Sequence, residues 1–210
     1  MDAVRDLNFS VFQEPRGVMR ILHFVFSICA FATITGYTGI IRFVCSTKEV
    51  STKFEYPFYV VETLTLTPNC TATVSNDFSS DARFFVATGV LSFLYAIAII
   101  YIYLKMDEAY KINKKLPLYD FLITVFLAVL WLSSSAAWSH ALSGLKTVTS
   151  YPIITPSDCC KTVRTSSFST LNISAIFGFL NFFLWAADLW FLFKETEWFQ
   201  GGAPPTTSGV

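Results

Sequence analysis

The sequence predicts an all-α membrane protein, a four-transmembrane-helix bundle with small disulfide-stabilised lumenal loops. Three observations carry this. First, four apolar windows are each bounded by charge. Only His23 interrupts Arg20 to Arg42, nothing charged lies between Arg83 and Lys105, only His140 interrupts Asp120 to Lys146, and nothing charged lies between Arg164 and Asp188. Each window exceeds the roughly 20 residues that a helix needs to cross about 30 Å of hydrocarbon at about 1.5 Å per residue. Second, 53% of the 210 residues are hydrophobic, 14% are charged and 22 are phenylalanine, a composition suited to lipid-facing rather than water-facing surface. Third, four of the five cysteines lie in the two segments that the charge pattern places on one side of the membrane.

In chain order, residues 1–17 form a cytosolic N-terminus and residues 18–193 a four-span domain, with helices over about 18–41, 84–104, 119–142 and 171–193. The first apolar run is far longer than the 7 to 15 residues of a signal-peptide core, so it reads as a retained span. Lumenal loops cover 42–83 and 143–170, a cytosolic loop 105–118, and a short flexible cytosolic tail 194–210. The first lumenal loop is the longest segment outside the membrane and is large enough only for a small cap. Within it, Tyr59 to Thr67 is rich in Val, Thr and Leu with partial alternation, which predicts a short strand or hairpin. The tail, with its Gly, Pro and Thr, has no capacity to pack.

An even number of spans puts both termini on one side. Lys and Arg divide eight against seven between the two sides, but Lys105, Lys111, Lys114 and Lys115 crowd into the short middle loop, where the positive-inside bias acts most strongly. That predicts cytosolic termini. Cys45, Cys70, Cys159 and Cys160 then face an oxidising lumen, where disulfides persist, while Cys29 lies inside the first span. Pairing Cys45 with Cys70 is the simplest arrangement, closing a ring worth on the order of 3 kcal/mol. A bond between the adjacent Cys159 and Cys160 would be strained, so pairings between the loops stay open. Asn69-Cys70-Thr71 is a glycosylation sequon in the first loop; Asn172 with Ser174 lies almost at the membrane, and Asn8 with Ser10 would be cytosolic.

Zero formal net charge and the lack of any run of five like charges leave no nucleic-acid footprint. The two histidines are far apart in depth, and no metal-ligand spacing or phosphate-cradling glycine loop is present, so the chain reads as no enzyme and no cofactor is expected from its motifs. Asp188 is the sharpest local signal, because a carboxylate within a span is costly and normally faces protein or water. Gly178, Asn181, Trp185 and Asp188 are spaced 3, 4 and 3 apart and share one face of the fourth helix, which should look into the bundle. Depth matching nominates His23 or Tyr101 as the hydrogen-bond partner of Asp188, with hydration from the cytosol as the plainer alternative. Ala32 and Gly36 in the first span, Ser133, Ser134 and Ser135 in the third, and Gly178 are small residues expected at close helix contacts.

Several strings add what hydropathy cannot. Glu14, Pro15 and Gly17 precede the first span, and Phe31-Ala32-Thr33 lies within it. Phe54-Glu55-Tyr56-Pro57-Phe58 opens the first loop. Trp131-Leu132-Ser133-Ser134-Ser135 and Ala136-Ala137-Trp138 lie in the third span. Ile176 to Asn181, Leu184-Trp185 and Phe193-Lys194-Glu195-Thr196 mark the fourth. Together, in this order, they resemble the synaptophysin (physin) family, four-span vesicle proteins of the MARVEL class. Lys115-Leu116-Pro117 and the short tail look more like the synaptophysin-like, or pantophysin, branch. Two departures stand out: the second-loop cysteines are adjacent, which disturbs the family's one-disulfide-per-loop pattern, and Asp188 stands where Asn is common.

The resemblance implies a multipass protein of transport or synaptic-like vesicles that associates with cholesterol, forms homo-oligomers and accompanies synaptobrevin-type fusion proteins. Trp131, Trp138, Trp185 and Trp190 are then expected to make lateral contacts with lipid or a partner span. An ion channel or transporter, with its route along an oligomer's central axis or the polar face through Asn181 and Asp188, and a cell-junction four-span protein are the rival readings.

Overall fold

The computed structural model of the chain describes residues 15–45, 49–67, 70–112, 115–150, 153–155 and 160–195. Four helices run through it: α1 (Pro15–Thr35), α2 (Ser79–Ile112), α3 (Lys115–Ser150) and α4 (Ser169–Glu195). All four are long and apolar enough to cross a membrane. In α1, Gly17, Arg20, His23, Ser27, Ala30 and Ile34 are buried at steps of three and four, while Val18, Ile21 and Val25 between them are exposed. That pattern suits a span whose one stripe packs on neighbours and whose remainder meets lipid.

The first span is shorter than the sequence predicts. Helix α1 ends at Thr35, and after the turn at Gly36 the chain enters strand β1 (Thr38–Cys45), where the sequence predicts helix to residue 41. The cause is local: Gly36 is a poor helix residue, and Thr38, Ile40 and Ile41 after it are β-branched and fit a pleated strand better than a helix. The middle loop differs in the other direction. Most of 105–118 is helical, because α2 continues to Ile112 and α3 begins at Lys115. At about 1.5 Å per residue both helices exceed the hydrocarbon thickness and project beyond it.

The segments joining α1 to α2 and α3 to α4 carry more structure than the predicted hairpin. β2 (Glu49–Glu55), β3 (Tyr59–Thr67) and β4 (Cys70–Asp77) follow β1, and β5 (Ile153–Thr155) and β6 (Cys160–Thr165) precede α4. They form two three-stranded sheets, ordered β2-β1-β6 and β3-β4-β5 and antiparallel throughout. Each sheet therefore takes two strands from the first loop and one from the second, so the loops make one shared cap. The predicted strand over Tyr59 to Thr67 is β3.

The sheet end is packed with aromatic rings. Phe54 and Phe58, from the Phe54–Phe58 string, are buried, and Phe58 lies 5.4 Å from Trp138 of α3 between ring centroids. Phe54 stacks on Phe168 at 6.0 Å, and Tyr37 contacts Phe54, Phe58 and Phe168. Tyr37 also donates its hydroxyl to the Ser167 carbonyl (3.1 Å), and the Ile40 N–H donates to Ser166 Oγ (3.0 Å), tying the α1–β1 corner to the β6–α4 corner. At the start of α2 the Asp77 carboxylate accepts the Ser79 N–H (2.9 Å), satisfying one of the helix's unpaired donors.

Deeper in the bundle, the indole N–H of Trp138 donates to the buried Ser174 Oγ (2.9 Å), and Phe85 packs edge-on against Trp131. A methyl group at Gly178 would run into Ser135 Oγ and the Phe85 ring, so α3 and α4 approach closely there through small residues. Ser134 and Ser135 are buried, but Ser133, Ala32 and Gly36 are exposed. Those three are corrected as contacts within the bundle: Ser133 returns its hydroxyl to the Val129 carbonyl of its own helix (2.8 Å), and Gly36 sits in the turn that ends α1. Trp131, Trp138 and Trp185 are likewise corrected as lateral contact residues, since all three are fully buried and only Trp190 of the four, 57% exposed, faces outward.

Candidate functional site

At the end of the bundle opposite the sheets, all four helices send polar side chains to one point. Arg20 enters from α1, six residues into that helix; Tyr95 and Tyr103 come from α2, Asp120 and Thr124 from α3, and Asp188 from α4. Arg20 is fully buried and lies between the two carboxylates, with Nη2 at 2.6 Å from Asp120 Oδ1 and Nη1 at 2.9 Å from Asp188 Oδ2. A guanidinium suits this place because its planar fork presents donors in several directions from one rigid charge. Both nitrogens also approach Thr124 Oγ1, at 3.5 and 3.4 Å.

Asp120 is the most fully engaged acceptor. Besides Arg20 it accepts the Tyr95 hydroxyl at Oδ1 (2.5 Å) and the Tyr103 hydroxyl at Oδ2 (2.6 Å), so α1, α2 and α3 meet on one carboxylate. Hydrogen bonds to a charged group in a low-dielectric interior are stronger than neutral ones and compensate the loss of water. Around them lies an aromatic wall. The guanidinium carbon is 5.7 Å from the ring centroids of both Tyr95 and Trp185, within cation–π range. His23 stacks flat on Trp185 at 3.8 Å, and its Nδ1 is 3.9 Å from Asp188 Oδ2.

Asp188, Trp185, Asn181 and Gly178 are all buried on one face of α4. Asn181 donates through Nδ2 to the Phe26 carbonyl of α1 (3.1 Å) and to Phe177 of its own helix (2.8 Å). The expected partner of Asp188 needs correction. Arg20 makes the close contact, His23 is a neighbour beyond hydrogen-bond distance, and Tyr101 is 60% exposed on the far side of α2. Tyr101 is one helical turn and a half from Tyr95 and two residues from Tyr103, so the turn of α2 carries the latter two inward and Tyr101 outward.

The sequence alone does not reveal Arg20 and Asp120, because both look like the charged flanks that end an apolar window. A signal was present: Arg20 and Asp120 each lie about one and a half turns, and Asp188 about two, inside the same end of the bundle, and a cation at the depth of two carboxylates is the pairing that burial demands. Among the described residues, no group of three or more His, Cys, Asp or Glu is placed to hold a metal ion. Between Asp120 and Asp188 the cation is the guanidinium itself. Cys159 and Asn69 lie outside the described residues, whereas Cys29 is a free thiol in α1.

The arrangement is a lock between helices. It joins α1, α3 and α4 through charges that face one another and α2 through two tyrosine hydroxyls, in a bundle that exposes large apolar side chains on its outer surface. Residues 12–191 match the MARVEL family, described as a membrane-associating domain, and this match covers most of the chain. It is a family of membrane-associating proteins and not a known enzyme family. The chain belongs to the MARVEL family of multipass membrane proteins.

Proposed function

We propose that this protein is a transport-vesicle membrane organiser of the synaptophysin type, which assembles into homo-oligomers and sorts cargo such as synaptobrevin-type fusion proteins by lateral contact. The observation that carries this reading is where the polarity lies. The ionisable groups at the core of the bundle face each other around Arg20, while the surface of the spans offers apolar and aromatic side chains such as Phe126, Val129, Ile176, Phe183 and Trp190. A surface of that kind recognises lipid and other spans, through packing in the plane of the membrane. Cytosolic termini follow from the dense lysines of the middle segment.

Cholesterol association belongs to the same reading. A largely apolar groove lined by Tyr95, Ile99, Ile102, Leu116, Tyr119 and Ile123, with Asp120 also in its lining, opens between α2 and α3, a place where a flat hydrocarbon with a polar end could lie. The channel reading is the less favoured, since the polar face through Asn181 and Asp188 ends on a guanidinium held by two carboxylates.

The test is to isolate the tagged full chain from native membranes in mild detergent and to determine by mass analysis its copy number and its companions. Several copies together with synaptobrevin-type proteins and vesicle markers are expected. A single copy without vesicle companions would overturn the proposal, and ion flux lost in Asp188→Ala would replace it with the channel.

A further inference from the structure

The two extramembrane loops share their sheets, and three cysteines stand at strand ends: Cys45 closes β1, Cys70 opens β4 and Cys160 opens β6. β1 from the first loop pairs with β6 from the second, and the register sets Cys45 opposite Cys160. That register is not automatic. From Ile41↔Thr165 to Val44↔Thr162 the strands run in step, which would bring Lys161 opposite Cys45; an irregularity between Val44 and Cys45 skips Lys161 and presents Cys160 instead. Directly opposed residues in an antiparallel pair have Cα atoms about 4.5 to 5.5 Å apart, within the span of a disulfide.

Cys70 begins β4 in the other sheet and is itself disulfide-bonded. Its neighbour Thr71 pairs with Thr155 of β5, again across the two loops, and Thr155 is four residues before Cys159. Of the five cysteines, Cys29 is a free thiol within α1. Once Cys45 takes Cys160, Cys159 is the thiol left for Cys70.

We propose that two disulfides, Cys45–Cys160 and Cys70–Cys159, join the first extramembrane loop to the second, one for each sheet. The adjacent cysteines thus serve as a fork, one prong to each sheet, instead of bonding to each other. Each bond forms by thiol–disulfide exchange with a disulfide-carrying oxidoreductase: two thiols give up two electrons and two protons, and the carrier's disulfide is reduced to a dithiol. Such a cap belongs in an oxidising compartment, which would place both chain termini on the other side of the membrane. This inference is independent of the vesicle proposal.

Non-reducing peptide mapping tests it on the full chain taken from membranes, with thiols blocked at lysis and any glycan at Asn69 removed. Trypsin separates the four extramembrane cysteines into Phe43–Lys48, Phe54–Arg83 and Thr147–Lys161, and leaves Cys29 on Ile21–Arg42. The expected product is one species containing all three peptides, lighter than their sum by four hydrogens and resolved into three by reductant. Linkage of Phe43–Lys48 to Phe54–Arg83 without the third peptide, or blocked thiols on all four cysteines, would overturn it.

Paired serine variants then assign the prongs. Cys70→Ser with Cys159→Ser should leave Cys45 linked to Cys160, and Cys45→Ser with Cys160→Ser should leave Cys70 linked to Cys159. The crossed pairs, Cys70→Ser with Cys160→Ser and Cys45→Ser with Cys159→Ser, should leave their remaining thiols open to alkylation. Crossed pairs that link while the matched pairs stay reduced would overturn the assignment. Where a variant fails to accumulate, fragmentation of the wild-type three-peptide species between Cys159 and Cys160 decides the prongs: Phe43–Lys48 is expected on Cys160, and finding it on Cys159 would overturn the assignment.

Discussion

The two ends of this bundle solve the same problem with different chemistry. At the sheet end, Phe54, Phe58, Tyr37, Phe168 and Trp138 pack beneath strands that reach beyond the hydrocarbon, so removal of apolar surface from water can drive the packing. At the opposite end, Arg20, Asp120, Asp188, Tyr95 and Tyr103 meet within the spans, where lipid is as apolar as any side chain and gives helices little hydrophobic reason to associate. There, charge-assisted hydrogen bonds fix which helix lies against which. The lesson is that the polar end should fail when one partner is removed and the aromatic end should fail in proportion to lost contact.

The largest effect is expected at Arg20. Arg20→Ala leaves Asp120 and Asp188 buried without their cation and should cost about 3–5 kcal/mol, read as a loss of thermal stability in detergent. Asp120→Asn removes the charge that three helices share and should cost about 2–3 kcal/mol, more than Asp188→Asn. Equal stabilities of those two variants would break the ranking of the carboxylates.

At the other end, Trp138→Phe keeps most of the ring packing and removes the indole donor to Ser174 Oγ, which keeps its own bond to the Leu171 carbonyl (2.7 Å), and a loss of about 1 kcal/mol is expected. A larger loss than Arg20→Ala would reverse the comparison. Arg42→Ala lies at the bottom of the scale, because its pair with Glu49 is 3.7 Å long and both side chains are more than half exposed. A change within about 0.5 kcal/mol, vanishing at high salt, is expected in the same melting assay.

Acid offers a finer probe of the α2 start. Hydrogen bonds from the Ser79 hydroxyl and backbone N–H hold the Asp77 carboxyl below the ordinary aspartate value. A lowered folded value means that the contribution is present above the unfolded value and is lost as pH falls through the folded one. Protection of the Ser79 amide, taken relative to its intrinsic exchange rate at each pH, should therefore fall only in that acid range, and in Asp77→Ala it should be low at all pH values.

The spans were legible because hydrocarbon imposes length and apolarity on every residue in a window, and β3 was legible from its Val, Thr and Leu alternation. The end of α1 was hidden because Ile40 and Ile41 are as apolar as any helix residue, while their β-branched shape and the sheet that receives them count only in three dimensions. The inward face of α4 could be read from the spacing of Gly178, Asn181, Trp185 and Asp188. Arg20 and Asp120 could not be read by windows, since a charge at the edge of a span looks alike whether water or a buried partner receives it.

The most direct test of the lock is a double-mutant cycle between Arg20 and Asp120, with Arg20→Gln, Asp120→Asn and the double variant melted in one detergent. A buried pair predicts that the double variant loses less than the two single losses combined, with a coupling of about 2 kcal/mol or more. Losses that add to within about 0.5 kcal/mol would mean that the two side chains do not hold each other, and would contradict the account.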